Sequence, residues 1–443
     1  MSNIYLVSLG CDKNRVDGEI MIGTLRNAGY SVIFDPKEAD VIIVNTCGFI
    51  SDAVQESIDM VLELAENKTD GNCKALIVVG CMAKRYEDEI KKTIPECDET
   101  VGVNEYDKIA EVVKKYIEPP KAKKIEITDP YLQRIAARKD DVIPHIAYVK
   151  IAEGCDNHCS YCTIPSIRGG YKSRKIESIL EECNLLVKEG VREIVLVAQD
   201  TSLYGTDIYK EKKLSELLYK LAEIEDLQWI RLMYVYPEHI TKKLINAIKD
   251  IKKVCKYIDM PLQHSEEPVL SRMRRNGDND SLFKLIMYMR NEIPNLALRT
   301  TFIVGFPGET AGDFKKLQNF IKEVEFDRLG VFPYSQEEGT SAAEMPDQIS
   351  EGMKTARHKK IMELQQKIHF AAAEKKVGKV LSVMIDEHTN GEYIGRTQAD
   401  AYEVDTIVTF TSEIKLKPGQ IVDVKVTAAE NYDLRGVKIE SGK

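Results

Sequence analysis

Three cysteines stand within eight residues, at Cys155, Cys159 and Cys162, in the run Lys150-Ile151-Ala152-Glu153-Gly154-Cys155-Asp156-Asn157-His158-Cys159-Ser160-Tyr161-Cys162. A CxxxCxxC loop of this kind requires a fold that brings three thiolates to one point, where they can hold three corners of a cubane. A protein iron-sulfur cluster ordinarily takes four cysteine ligands, so three leave one iron open to a small molecule. The competing reading is a zinc site with a distant fourth ligand, His158 being the local candidate. Zinc motifs usually come as two pairs, CxxC with a second CxxC or HxxxH, and no second pair exists in this sequence.

The apolar run His145 to Lys150 reads as the strand that delivers this loop. Further runs recur with helical patterns between them, at Glu193 to Ala198, Trp229 to Tyr234, Tyr257 to Met260, Leu298 to Val304 and Arg328 to Phe332. Six βα units are too few for a closed eightfold barrel. They predict an open, partial one with its site at the carboxyl ends of the strands. Polar or special residues stand at those ends: Gln199 and Asp200, Pro237 and Glu238, Gln263 and His264, Gly305 with Pro307 to Glu309, and Ser335 to Gly339.

Near the N-terminus three apolar runs each lead to a cysteine. Ile4 to Gly10 leads to Cys11, Val41 to Thr46 to Cys47, and Ala75 to Gly80 to Cys81. With helix-length amphipathic segments between them, they read as parallel strands of an open α/β domain. Ligands collect outside the carboxyl ends of such strands, so the three cysteines are expected to converge on one edge as a second cluster site. Cys73, Cys97, Cys183 and Cys255 fit ordinary packed or solvent-facing thiols better.

Two prolines and a charge run at Glu118 to Lys124 read as the start of a linker spanning 119–140. The domains expected on either side are 1–118 and 141–375. A long polar helix from Met353 to about Lys376 leads to a tail, 376–443, with five short strands spaced as in a small antiparallel β-barrel. That tail holds nine Lys and Arg against eleven Asp and Glu, a net charge of −2, where a barrel built to hold RNA should present a basic surface. The whole chain of 443 residues carries a formal net charge of −9, so it suits a basic partner better than nucleic acid. No run is apolar enough to cross a bilayer and the first residues lack the layout of a secretory signal. The expectation is a cytoplasmic protein with no membrane contact, whose ten cysteines point to metal or redox chemistry before disulfides.

The CxxxCxxC loop, with the aromatic Tyr161 before its last cysteine, resembles the signature of the radical S-adenosylmethionine (SAM) enzymes. The three parts in this order resemble, over essentially the full chain, the methylthiotransferase family: an N-terminal three-cysteine domain, a radical SAM domain and a terminal TRAM-like barrel. Ser8-Leu9-Gly10-Cys11-Asp12-Lys13-Asn14-Arg15-Val16-Asp17 is similar to the branch that modifies a ribosomal protein, with Lys13 at the position where the transfer RNA enzymes tend to have Met or Val. Further matches are Asp259 to His264 and Tyr334 to Thr340; Gly18 departs from the usual Ser.

The resemblance implies that Cys155, Cys159 and Cys162 hold a 4Fe-4S cluster whose open iron chelates SAM, and that one electron splits SAM to a 5'-deoxyadenosyl radical. It implies an auxiliary 4Fe-4S cluster on Cys11, Cys47 and Cys81 whose open iron presents sulfur. One SAM methylates that sulfur, and a second generates the substrate radical that captures the methylthio group. The implied acceptor is the β-carbon of an aspartate in the twelfth protein of the small ribosomal subunit, free or on the ribosome, with an electron donor and a sulfur source as further partners. Tyr161 and Gln199 are the expected SAM contacts, from their places beside the cluster loop and at a strand end. Two alternatives stand beside this: a transfer RNA methylthiotransferase acting on an adenosine near the anticodon, and a non-catalytic metal-binding scaffold.

Overall fold

The computed structural model describes residues 2–119, 129–140 and 143–440. In the N-terminal part five strands, β1 (Asn3–Ser8), β2 (Ser31–Ile33), β3 (Val41–Thr46), β4 (Ala75–Gly80) and β5 (Glu99–Gly102), form a parallel sheet in the order β2-β1-β3-β4-β5. The two central apolar strands, β3 and β4, are buried along their whole length, as a parallel sheet covered on both faces requires. Helices α1 (Asp12–Asn27) and α2 (Ser51–Ala65) are among those that cover it.

The central part carries β6 (Ile146–Lys150), a small antiparallel pair β7 (Ala152–Glu153) and β8 (Lys172–Ser173), then β9 (Glu193–Val197), β10 (Trp229–Leu232), β11 (Val254–Asp259), β12 (Ala297–Val304) and β13 (Arg328–Pro333). Six of these form one open parallel sheet, β13-β12-β11-β10-β9-β6, the partial barrel expected from six βα units. The concave side is filled by Tyr148, Val195, Val197, Trp229, Met233 and Tyr257 together with Val16 and Ile20 of α1 and Met384 and Ala401 of the tail. The half-barrel is thus stoppered by its neighbours, which fixes their placement at its open side.

The tail closes into a barrel of β14 (Val380–Thr389), β15 (Glu392–Arg396), β16 (Val408–Thr411), β17 (Ile421–Glu430) and β18 (Asp433–Lys438). Asn390 and Gly391, both at positive φ, make the two-residue turn between β14 and β15. Four of the five pairings are antiparallel, and the closing one, β16 with β18, is parallel.

Of the span read as a linker, 120–128 lies outside the described residues. Pro130–Gln133 and Arg134–Asp140 are helical. Arg134 is fully buried and pairs with Glu19 of α1 and, at 2.8 Å, with Glu182 of the central domain. Glu193 at the foot of β9 ties the tail on in the same way, to Arg231 at 2.7 Å and to Arg396 at 2.8 Å. Among the described residues no helix is long and apolar enough to cross a membrane.

Candidate active site

Each N-terminal cysteine follows a strand of the parallel sheet. Cys11 is the N-cap of α1, Cys47 follows β3, and Cys81 follows β4 and opens the helix Cys81–Arg85. Cys47 and Cys81 are buried and Cys11 is exposed. Two of the three therefore stand at helix N-termini.

Asn14, one turn into α1, gathers the three loops. Its Nδ2 donates to Leu9 O and to Thr46 O, each at 3.0 Å, and its Oδ1 lies 3.7 Å from Cys81 Sγ. The Cys47 loop is held from its other side, where Cys47 N donates to Ser57 Oγ at 3.0 Å. Gly48 packs on the backbone of Cys81 and Met82, where an added Cβ would stand 2.7 Å from Met82 N.

The second triplet sits on the loop after β7. Cys155 N donates to Gly169 O at 3.1 Å and Cys162 N to Cys159 O at 3.1 Å. Ser160 ties the loop to the barrel by donating from N to Met273 O and from Oγ to Arg272 O. Asn157 Nδ2 donates to Asp200 Oδ2 at 3.0 Å, which anchors the same loop to the end of β9. His158 is exposed, at a φ of 45°. Cys73 and Cys97 bond the carbonyls of Ala75 and Glu99, and Cys183 and Cys255 are buried in the cores.

Burial pushes Cys81 and Cys155 up to about 11 and Cys162 up to about 12. Thiols gathered in this way resist ionising by themselves, and a cationic centre removes the difficulty because a coordinating thiol is deprotonated outright. Among the described residues no three His, Cys, Asp or Glu side chains converge closely enough for a single ion. The corners of a cubane keep their ligands further apart than one ion does, so the donor chemistry of both triplets fits an iron-sulfur cluster.

Between the N-terminal domain and the carboxyl ends of β12 and β13 lies a cavity of about 420 Å³, with Phe49, Tyr161, Gln263, Phe332, Tyr334 and Glu337 among its lining residues. Tyr161 meets Phe306 edge-on with ring centroids 6.4 Å apart. Gln263 stands at a φ of 71° with its Oε1 buried and without a hydrogen-bond partner. Gln199 follows β9, half-buried, and is not among the residues lining this cavity.

The polar interface between the two triplets escaped the sequence reading. Lys13 is buried at the domain boundary with its Nζ 3.0 Å from the centre of the Tyr234 ring. Lys150 pairs with both Asp17 and Glu153, and Arg168 pairs with the same two carboxylates at 3.2 and 2.9 Å. Burial pushes Glu153 up, but Lys150 and Arg168 outweigh it and hold the carboxyl at about 2. All lie in or beside the stretches that carry the cysteines; the signal available was their adjacency to those motifs.

The chain matches three family descriptions in order: Uncharacterized protein family UPF0004 over residues 3–102, Radical SAM superfamily over 149–321 and TRAM domain over 377–439. It is 47% identical to the ribosomal protein uS12 methylthiotransferase RimO of Clostridium kluyveri, over 99% of each chain. The protein of the same name from Lachnoclostridium phytofermentans is 46% identical over 98% of this chain and 99% of its own. Among solved structures, the radical S-adenosylmethionine methyltransferase TsrM from Kitasatospora setae superposes with a TM-score of 0.55 at 11% identity, covering 86% of this chain and 77% of that one, a likeness of fold alone. This chain belongs to the ribosomal protein uS12 methylthiotransferase RimO family, within the radical SAM superfamily.

Proposed function

We propose that this chain is a cytoplasmic radical SAM methylthiotransferase that adds a methylthio group to the β-carbon of an aspartate in ribosomal protein uS12, using two SAM and two 4Fe-4S clusters. The observation that carries the reading is the apposition of two cysteine triplets from different domains, joined through Arg168, which contacts Cys81, and Thr163, whose Oγ1 donates to Phe49 O at 3.3 Å. The kinship with full-length uS12 methylthiotransferases supports the acceptor. On this reading the chain divides into an N-terminal domain at 1–118, a linker at 119–140, a radical SAM domain at 141–375 and a TRAM-like barrel at 376–443.

Cys155, Cys159 and Cys162 would hold the radical SAM cluster, and Cys11, Cys47 and Cys81 the auxiliary one. When bound, these groups supply the one-electron cleavage of SAM and the iron that carries sulfur. The chain supplies placement: Phe49, Tyr161, Phe332 and Tyr334 line the cavity with aromatic surface. Gln263 offers a buried amide oxygen with an unused acceptor site, suited to fix a donor group of the cosubstrate or acceptor. Tyr161 and Gln199 remain proposed SAM contacts, and an electron donor and a sulfur source complete the partners.

The test is an anaerobic assay of the reconstituted, reduced protein with SAM and sulfide, offered uS12 and unmodified transfer RNA in parallel and read by mass spectrometry. A methylthio group on an aspartate of uS12 is the expected product. Modification of the transfer RNA alone would overturn the acceptor.

A further inference from the structure

The loop that carries the radical SAM cysteines continues into a short helix that packs against the N-terminal domain. Six residues after Cys162, Arg168 ends the helix Ile164–Arg168 and is buried there. Its Nη2 donates to Cys81 Sγ at 3.4 Å and to Asn14 Oδ1 at 2.6 Å, while Nη1 donates to Glu153 Oε1 at 2.9 Å. Both nitrogens also donate to Asp17 Oδ2, at 3.3 and 3.2 Å. The planar fork is therefore fixed by three acceptors besides the sulfur, which a lysine's point charge could not satisfy together.

The charges around it balance. Arg168 and Lys150 face Asp17 and Glu153, two cations against two carboxylates. Cys47 takes its N–H donors from the backbone of Phe49 and Gly48, whereas Cys81 takes a side-chain donor, Arg168, whose charge is also the strongest cationic influence on that sulfur. Hydrogen bonds to the ligating sulfurs are one of the levers that set a cluster's reduction potential. A donor stabilises the more electron-rich, reduced form and so moves the potential upward.

Resting on the reading that Cys11, Cys47 and Cys81 hold a cluster, we propose that Arg168 is a positioning residue that donates to the Cys81 ligand and raises the reduction potential of the N-terminal cluster. Because the same short helix follows Cys162, the donor's position on Cys81 is set by the radical SAM loop. The potential of one cluster thus depends on the placement of the other's binding loop.

The experiment uses the full chain with Cys155, Cys159 and Cys162 all changed to Ala, reconstituted anaerobically so that the N-terminal triplet alone can hold iron, and produced with arginine labelled with 15N in the guanidinium. Pulsed EPR of the reduced cluster should show a 15N coupling. Arg85→Lys should keep it, since the Arg85 guanidinium is spent on Gly48 O and Glu337. Arg168→Lys should lose it and shift the midpoint potential downward, with iron content unchanged. An intact cluster without the coupling, a coupling that depends on Arg85, or its loss without a shift in potential would overturn the inference while leaving the cluster reading in place. Should Arg168→Lys fail to fold, absence of the coupling in the labelled parent, or its loss in Arg85→Lys, still overturns the inference. A triple-Ala protein that binds no iron would overturn the two-cluster reading, and this inference with it.

Discussion

Arg85 and Glu337 form an ion pair across the domain interface, Nη1 to Oε2 at 3.0 Å. Arg85 ends the helix that Cys81 begins and also donates to Gly48 O, next to Cys47. Glu337, on the loop after β13, accepts from Ser51 N at 2.8 Å at the start of α2. One carboxylate from the barrel therefore pins two of the three N-terminal cysteine loops over the cavity.

Glu337→Ala leaves the half-buried Arg85 guanidinium only the carbonyls of Gly48 and Glu338 and should cost about 2 kcal/mol. Displacement of the N-terminal loops should lower methylthiolation about 100-fold, the scale of a misplacement near 1 Å. Release of 5'-deoxyadenosine, which on the proposed assignment needs only the barrel's own triplet, should persist. Chromatography of both products from one reaction checks the split.

Two glycines should separate the clusters by iron content. Gly48→Ala drives a Cβ into the Cys81–Met82 backbone and parts Cys47 from Cys81, so it should lose the N-terminal cluster and about half the iron. Gly154→Ala, at a φ of +74° with its Cβ 2.6 Å from Gly169 O and closer still to Gly170 O, should lose the other half. Iron analysis with EPR identifies which cluster remains.

Acid should loosen the tail. Burial alone pushes Glu193 up, yet Arg231 and Arg396 outweigh it and hold the carboxyl at about 2, against an ordinary 4.5. A carboxyl depressed on folding contributes its stability above the unfolded value and loses it as pH falls through the folded one, roughly 3 kcal/mol in all. Melting temperature should fall between pH 4.5 and 2. Glu193→Gln should be less stable at neutral pH and show a flatter acid limb in the same series of melts.

The cysteine positions were legible because each closes an apolar run or a fixed spacing, which are local features. β2 and β5 were not legible: Ser31–Ile33 and Glu99–Gly102 are short edge strands, only partly buried, and carry little periodic signal. The ties that bring the triplets together were hidden for a different reason. Asp17 and Arg168, or Glu19 and Arg134, are more than a hundred residues apart, and each alone reads as an ordinary surface charge. Tyr161 was found from the motif and does line the cavity, whereas the unpartnered amide oxygen of Gln263 needed the backbone turn at φ 71° to become visible.

The proposed division of labour between the two triplets is measured directly by 5'-deoxyadenosine and methylthiolated uS12 from the same anaerobic reactions of the wild type, Cys155→Ala and Cys47→Ala. Both products are expected from the wild type, neither from Cys155→Ala, and deoxyadenosine without methylthiolation from Cys47→Ala. Normal methylthiolation by Cys47→Ala would contradict that division.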